Sequence, residues 1–258
     1  MKRKYKVNDL FFKRWSNNMA YILGLWFTDG NTDGVSDFSI SQHKRDKYIL
    51  INILKEMGSN NPLHLDKNNY SFRIYSKEIV SDILKLGGCS RKSLVVDFPK
   101  IPRKYLSSFI RGLWDGDGSI SYNKHAKGYF SYFTSGSKRF IYKFHSVLKD
   151  NIIGLKGCIC YDCRQMPSGK QTVTYNLKLG INETRRLREF IYKGKDQLRL
   201  DRKHNRFVNA GKVNVCCRDK IYLNFNDAKI YVGKLGLKSL SEWKEYCKRG
   251  GQTRKYTN

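Results

Sequence analysis

Hydrophobic and polar residues follow an order along the chain that occurs twice. Residues 37–42 alternate like a half-buried strand, and residues 129–135 do the same. Each stretch is followed by apolar residues at helical spacing, at residues 48–54 and 140–148. Each helix then runs into a glycine-containing turn, a pair of short strands and a closing helix. The pattern predicts an α+β fold of two related halves, each ordered αββαββα.

The sequence between the two halves contains Pro99 and Pro102, which predict an extended linker that cannot be helical. After the second half, the chain is polar and basic, which predicts a connector with almost no regular structure. The expected segments are a first half at 1–90, a linker at 91–106, a second half at 107–195, a basic connector at 196–220 and a small helical tail module at 221–258.

The sequence of the tail module predicts two short helices that are separated by a break at Gly236. Asn226 and either Ser239 or Ser241 are the candidate N-caps, because their side-chain oxygens can accept a backbone N–H at a helix start. An accessory DNA-binding arm and a docked structural cap both agree with this basic segment.

The clearest internal repeat is a ten-residue motif. YILGLWFTDG at residues 21–30 and FIRGLWDGDG at residues 109–118 align without a gap and share Gly-Leu-Trp and a final Asp-Gly. If each copy is a helix that ends at its last glycine, small residues four positions apart lie on one helix face. Such a face allows two helix backbones to approach closely, so the two motif helices are expected to pack together. The small residues are Gly24 and Thr28 in the first copy and Gly112 and Gly116 in the second.

Packing of the motif helices would bring Asp29 and Asp117 side by side at the helix C-termini. Two carboxylates there repel each other and the negative ends of the helix dipoles. A divalent cation offsets this repulsion, and Mg²⁺ binds one or two carboxylates together with water and phosphate oxygens. One Asp-Gly at a helix end is ordinary turn chemistry, but two aligned copies favour a metal site that cleaves phosphodiester bonds.

The charge of the chain indicates a polyanionic partner. Lys and Arg number 50 against 22 Asp and Glu, a formal charge of +28, and the basic residues are spread over the whole sequence. Such a field favours a long nucleic-acid-binding surface. No long apolar run suggests a membrane partner. The first residues lack the apolar core of a signal peptide and the seven Cys are an odd number, so an intracellular, reducing compartment is expected.

Three cysteines lie close together in the second half. Cys158 and Cys160 share one face of a predicted strand, and Cys163 does not. This spacing favours incidental thiols. A zinc site completed by Cys216 and Cys217 is the alternative.

At the two motifs, ILGLWFTDG and IRGLWDGDG, the sequence resembles the LAGLIDADG homing endonucleases of the single-chain, two-motif type. The resemblance covers about residues 19–195 and includes the stretch that leads into the second motif. It implies pseudo-symmetric halves whose antiparallel sheets face the DNA major groove, and a staggered double-strand break at a long asymmetric site. It also implies a monomer that uses Mg²⁺, with Mn²⁺ as a substitute, held by Asp29, Asp117 and the carbonyl groups of Gly30 and Gly118.

The resemblance also implies a polar residue near the attacking water and a basic residue near it. Gln42 matches the first position, and its repeat counterpart Ser135 departs from the usual longer side chain, which suggests two unequal nicking sites. Lys178 is the candidate for this basic catalytic residue, and Arg73 occupies the matching position in the first repeat. Lys44 and Lys138 are alternative candidates for the same role. The motif departs from the family at Phe27, where an acid is commoner, and Asp115 in the second copy is expected to cap or orient the helix end. The candidate DNA contacts are Ser39, Ser41, Lys44, Arg45, Arg73, Tyr75, Tyr132, Lys138, Arg139 and Lys170.

Two other functions agree with the basic composition. An RNA maturase of the same fold would bind intron RNA and help it to splice, and a DNA-binding regulator would reuse the fold without chemistry. Neither needs both Asp29 and Asp117, so their joint presence favours the endonuclease.

Overall fold

The computed structural model describes residues 4–165, 171–194, 198–212, 232–237 and 239–248. The chain divides into two compact units, Met1–Asn214 and Val215–Asn258. The first unit contains both repeats, and the second contains the tail module. None of the helices in the described part of the chain is long and apolar enough to cross a membrane.

The first repeat has the predicted αββαββα order. Ser16 caps its first helix, since the Ser16 Oγ accepts the Met19 N–H at 3.0 Å, and Ser76 caps the closing helix in the same way through the Ile79 N–H. Gly58 follows the second helix with a positive φ of 59°, as a helix-ending glycine does. The elements are α1 (Asn17–Asp29), β1 (Gly30–Thr32), β2 (Asp37–His43), α2 (Lys47–Glu56), β3 (His64–Asp66), β4 (Asn69–Tyr75) and α3 (Lys77–Lys85).

The second repeat has the same order with longer strands. Ser137 caps its second helix through the Phe140 N–H, and Gly154 ends the turn after that helix with a φ of 73°. The elements are α4 (Leu106–Asp117), β5 (Gly118–Asn123), β6 (Gly128–Ser135), α5 (Lys138–Asn151), β7 (Cys158–Gln165), β8 (Gln171–Leu179) and α6 (Ile181–Ile191). The prediction of two αββαββα halves is therefore confirmed.

Each repeat forms one four-stranded antiparallel sheet, in the orders β1-β2-β4-β3 and β5-β6-β8-β7. The registers correspond. Gly30 pairs with Ile40 in the first sheet, and Gly118 pairs with Phe133 in the second. One face of each sheet packs on the helices and buries aromatic residues such as Phe38, while the alternate residues form an outer face. The two sheets therefore share the same strand order and register, although the strands of the second sheet are longer.

The central helices α1 and α4 pack against each other through glycines. A Cβ atom on Gly24 would collide with the backbone carbonyl oxygen of Phe109, and one on Gly112 would collide with that of Tyr21. Gly24 and Gly112 are repeat counterparts, and so are Tyr21 and Phe109, so the contact is reciprocal about a pseudo-twofold axis. The predicted packing of the two motif helices is confirmed.

Replacing Gly112 with Ala is expected to destabilise the protein. The new Cβ would lie 2.8 Å from the Leu25 backbone nitrogen, in a place where only backbone could move. The gain in helix propensity is smaller than the overpacking cost, and we expect a net loss of about 1–3 kcal/mol in the free energy of unfolding. Urea unfolding measures this change.

Gly211→Ala is the matched control for this substitution, because its Cβ would meet only the flexible end of the Arg188 side chain. An equal loss of stability in both variants would contradict the close packing of α1 and α4.

Two predictions between and after the repeats were wrong. The linker is not wholly extended, because Lys92–Leu94 and Arg103–Tyr105 form 3₁₀ turns on either side of the two prolines. The segment after the second repeat is not structureless, because Asp201–Lys212 forms a helix, α7. Lys203, Phe207 and Ala210 lie on one buried face of α7, which explains why this polar sequence is helical.

The described part of the second unit contains the two predicted helical segments. Residues 232–234 form a helical turn, and Gly236 follows with a φ of 62°. Ser239 then caps α8 (Leu240–Lys248), since its Oγ accepts the Glu242 N–H at 3.2 Å. This confirms Ser239 as an N-cap, while Asn226 lies outside the described residues.

Candidate active site

Asp29 and Asp117 are the last residues of the two central helices, α1 and α4. A Cβ on Gly116 of α4 would lie 2.9 Å from the Asp29 Oδ2, so the carboxylate of one helix sits over the backbone of the other. Gly30 and Gly118 then lead into β1 and β5. Each packs directly on a tryptophan ring of its own helix, where a side chain would not fit. The two acids therefore meet at the pseudo-twofold axis.

Gln42 reaches the same place from β2. It lies on the core-facing side of the strand, and its Nε2 donates to the Asp29 Oδ2 at 2.6 Å. Ser135 occupies the equivalent register position on β6, but its Oγ accepts the Ser137 N–H at 3.1 Å within the turn before α5. The two acids therefore have different neighbours, as expected from the sequence.

Lys92 and Lys203 place one ammonium group at the end of each central helix, and sequence analysis missed both. The Lys92 Nζ donates to the Gly30 carbonyl and lies 5.1 Å from the centre of the Trp26 ring. The Lys203 Nζ donates to the carbonyl groups of Trp114, Asp115 and Gly116 at the end of α4. Both lysines are more than nine-tenths buried. Positive charge at a helix C-terminus is favourable, so each ammonium stabilises one helix end.

Desolvation and the neighbouring charges shift the pKa values of the ionisable groups at this site. Partial desolvation raises the pKa of Asp117 to about 6, with a further contribution from the charge of Asp29. Desolvation also raises the pKa of Asp29, against the hydrogen bond from Gln42. Burial lowers the pKa of Lys203 to about 8, although Asp115 and the two acids favour its charged form. The charged forms of Asp29 and Asp117 are therefore disfavoured in the absence of a counter-charge, and a bound cation would stabilise them.

Metal affinity at this site is expected to depend on pH. Below pH 6, Asp117 carries a proton that a metal must displace, so the apparent association constant falls up to about tenfold per pH unit as the pH is lowered. Above pH 6 the carboxylate is free, and the dependence levels off. Titrations of the DNA-free protein with Mn²⁺ between pH 5 and pH 8 measure this profile.

The Asp117→Asn variant is the control for the pH profile, since it removes the group that titrates. A wild-type profile that is flat over the same range, or one that is unchanged in the variant, would contradict the assignment.

Residues 104–205, from the start of α4 to the middle of α7, match the family model of a LAGLIDADG-like domain. The matched segment includes Asp117, the whole second sheet and Lys203. The second repeat is therefore similar to a LAGLIDADG-like domain. The first repeat has the same order of elements and the same strand register.

Three solved structures illustrate the similarity of the chain trace to known proteins. A mesophilic variant of the homing endonuclease I-DmoI is 18% identical, with 69% of this chain and 97% of that chain covered and a TM-score of 0.47. The LAGLIDADG meganuclease I-AabMI bound to uncleaved DNA is 12% identical (77% and 90%, TM-score 0.49). Full-length DUF199/WhiA from Thermatoga maritima is 16% identical (87% and 71%, TM-score 0.47). No curated protein sequence matches the chain.

Five of the ten predicted DNA contacts lie on the outer faces of the two sheets. Ser39 pairs with Arg73 across the first sheet, and their counterparts Tyr132 and Lys178 pair across the second. Lys178 is exposed on the outer face of the second sheet, and a catalytic role for it stays a prediction. The ammonium groups that are bonded at the helix ends belong to Lys92 and Lys203. Of the other candidates, Ser41 and Tyr75 lie on strands of the first sheet, Lys44 and Arg45 in the 3₁₀ turn after β2, Lys138 and Arg139 in the first turn of α5, and Lys170 outside the described residues.

Three of these basic candidates already have acidic neighbours. The Arg45 Nε lies 3.8 Å from an Asp46 carboxylate oxygen. The Arg73 Nε lies 3.4 Å from an Asp37 carboxylate oxygen, and the Arg139 Nε lies 3.1 Å from one of Asp97. All three arginines are largely exposed, so these ion pairs are weak and a phosphate can compete for them.

Asp115 does not cap its helix, so of its two expected roles the capping role is wrong, and the orienting role stays a prediction. Its side chain is buried, and its Oδ2 accepts the Tyr21 hydroxyl at 2.8 Å and the Leu200 N–H at 2.7 Å. Burial raises the pKa of Asp115 to about 6. Phe27, the counterpart in α1, instead packs its ring on Phe109 at 5.6 Å. The two motif copies therefore differ in the contacts made at this position, which are polar in α4 and aromatic in α1.

The donor set of the site suits Mg²⁺ or a similar hard cation. Asp29 and Asp117 would supply carboxylate oxygens. The predicted carbonyl ligands differ, because the Gly30 carbonyl already accepts the Lys92 ammonium, and a metal-binding role for the Gly118 carbonyl stays a prediction. Among residues 4–165 and the other described ranges, no three His, Cys, Asp or Glu side chains cluster as a ligand set, so water and phosphate would fill the remaining positions. Cys158 and Cys160 lie on the outer face of β7 and Cys163 on the other, while Cys216 and Cys217 lie outside the described residues.

Proposed function

We propose that this protein is a site-specific DNA endonuclease that hydrolyses phosphodiester bonds with a divalent cation. The observation that carries the proposal is the pair Asp29 and Asp117, held together by glycine contacts between α1 and α4. An ammonium group lies at the end of each helix, so the site suits an anion that binds together with a cation. The match of residues 104–205 to a LAGLIDADG-like domain supports the same function.

A divalent cation held by Asp29 and Asp117 would supply an activated water and stabilise the leaving oxygen. Gln42 orients the Asp29 carboxylate through its Nε2, and its Oε1 can accept a hydrogen bond from a water. The positive charges of Lys92 and Lys203 would stabilise the negative charge that builds up on the phosphate in the transition state, since a preorganised charge in a partly desolvated site is effective there. Mg²⁺ is the expected ion, and Mn²⁺ is expected to substitute.

The outer faces of the two sheets are the proposed DNA-binding surface. Their polar and basic side chains can contact base edges and phosphates. Counterpart positions carry different residues, Ser39 with Arg73 in one sheet and Tyr132 with Lys178 in the other, which supports an asymmetric target site. One chain contains both acids, which supports action as a monomer. The two four-stranded sheets together offer eight strands that could contact a long DNA site.

The two strands of the target are expected to be cut at unequal rates. Gln42 contacts Asp29, whereas Ser135 is bonded within its own turn, so only one acid has a polar side chain positioned beside it from its own sheet. We expect a staggered double-strand break in which one strand is nicked first. A nicked intermediate on a supercoiled plasmid would report this order.

Cleavage of a large randomised double-stranded DNA library with Mg²⁺, followed by sequencing of the ends, tests the function. The control is the Asp29→Asn/Asp117→Asn double variant. Staggered ends at one long motif, absent with the control, would establish both the activity and the target. Intact binding to a structured intron RNA without DNA cleavage would favour the maturase, and sequence-specific DNA binding without cleavage would favour a regulator.

A further inference from the structure

Residues 198–203 lead into the first turn of α7 and are hydrogen-bonded to side chains of both repeats. The term strap is used here for residues 198–203. On the side of the second repeat, Arg111 donates to the carbonyl groups of Leu198 and Ile191, at 2.9 Å and 2.7 Å. On the side of the first repeat, the Tyr48 hydroxyl donates to the Arg199 carbonyl at 3.3 Å. The strap is thus bonded to side chains from both halves.

The strap ends at the active site. Arg202 donates to the buried carboxylate of Asp46 at 2.8 Å, and the next residue is Lys203. The Lys203 Nζ bonds three carbonyl groups in the last turn of α4, one to three residues before Asp117. The position of the strap therefore sets the position of this ammonium group.

Asp115 joins the strap to the central helices. Its Oδ2 accepts one hydrogen bond from the strap, at the Leu200 N–H, and one from Tyr21 of α1. It lies on α4, the same helix end that Lys203 contacts. The first motif has no equivalent, because Leu23 and Phe27 stand where the second motif has Arg111 and Asp115. The ammonium at the end of α1 comes instead from Lys92 in the linker.

We propose that the strap is part of the catalytic site and that Asp115 is a positioning residue, which acts through Lys203. Asp115 itself does not face the phosphate, because it is buried between α1, α4 and the strap. It holds Leu200, and Leu200 fixes the start of α7, so that Lys203 reaches the end of α4 beside Asp117. This inference rests on the proposed nuclease function.

The variants that test this separate position from charge. Asp115→Leu removes the acceptor with little change in volume. Asp115→Asn keeps one accepting oxygen and replaces only Oδ1, which has no hydrogen-bond donor among the described residues. Lys203→Met removes the ammonium alone. Ile141→Ala, a cavity in the core beneath α5, is the control for lost stability. Tyr21→Phe removes only the second donor to Asp115 and serves if Asp115→Leu does not fold.

The first readout does not depend on activity. Acylation of Lys203 by an amine reagent, followed by mass spectrometry, reports whether the ammonium is in place. Lys203 in the wild type is 5% exposed and should react slowly. We expect acylation at least about tenfold faster in Asp115→Leu than in Asp115→Asn, since both variants lose the charge near Lys203 and only the first displaces the strap and exposes the amine. A smaller increase is expected in Tyr21→Phe, and a near wild-type rate in Ile141→Ala.

The second readout is single-turnover cleavage at saturating DNA. We expect Asp115→Leu to lower the cleavage rate roughly 10- to 100-fold with little change in DNA affinity. The double variant Asp115→Leu/Lys203→Met should be no slower than Lys203→Met, because both changes act on one ammonium.

Three results would overturn the proposal. These are unchanged acylation in both Asp115→Leu and Tyr21→Phe, losses of rate that multiply in the double variant, or an equal loss in Ile141→Ala. If the wild type cleaves no DNA, the nuclease function and the catalytic role of the strap fail together, while acylation still decides whether Asp115 positions Lys203. If the wild type and Asp115→Leu cleave equally well, only the strap proposal fails.

Discussion

Asp29→Asn and Asp117→Asn are each expected to lower the rate of double-strand cleavage by at least about 10³-fold, because a metal-held charge would contribute several kcal/mol to the transition state. Each substitution keeps the shape of the side chain and removes its negative charge. DNA affinity should change little or rise slightly, because a charge that repels phosphate is lost. Plasmid cleavage and binding of the same target measure the two effects separately.

The plasmid assay also reports what remains in each single variant. Nicked circles in one variant and none in the other would identify which strand depends on which acid. Asp150→Asn, at the end of α5, is the control, since the one hydrogen bond that its carboxylate accepts among the described residues comes from the Ser146 hydroxyl in its own helix. Wild-type double-strand cleavage by either active-site variant would contradict the metal assignment.

DNA affinity is expected to fall steeply with salt concentration. A formal charge of +28 on 258 residues indicates that many phosphates are neutralised on binding. With about ten phosphate contacts, the affinity should drop by roughly 10³-fold or more between 50 and 200 mM salt, because counterions are released from the DNA. Fluorescence anisotropy with an uncleavable target, across a series of KCl concentrations, gives the slope.

A pair of lysines on α5 provides the matched variants for the salt series. Lys138 lies in the first turn of α5, next to the end of β6, and Lys149 lies in its last turn. Lys138→Met should reduce the slope by about one ion, as loss of a phosphate contact does. Lys149→Met should leave it unchanged. A shallow slope for the wild type would mean that the charge is not used to bind nucleic acid.

The repeat itself was predictable because it is written in local patterns. Alternation at residues 37–42 and 129–135 and the helical spacing that follows each depend only on neighbouring residues. The packing of α1 on α4 was predictable for a related reason. Glycines at a fixed spacing have few uses in a helix other than close approach, and Gly24 and Gly112 are used in that way.

Helix α7 was missed because its composition conceals its pattern. The sequence from Asp201 to Lys212 is rich in charged and amide side chains, which argues for a connector. The signal was present in the spacing of Leu200, Lys203, Phe207 and Ala210, three or four residues apart. A lysine counts as polar in such a pattern, although its long aliphatic stem can be buried when its ammonium reaches backbone carbonyl groups.

The sequence alone determined the two halves and the helix ends that carry Asp29 and Asp117, because both follow from local periodicity and from the internal repeat. The core-facing position of Gln42 and its hydrogen bond to Asp29 came from the structure. Only the tertiary structure decided which of the 50 Lys and Arg enter the site. Lys92 comes from the linker and Lys203 from a helix after the repeats, and each is placed by long-range contacts with backbone carbonyl groups. Such contacts leave no periodic trace in the sequence, since they depend on where distant segments meet.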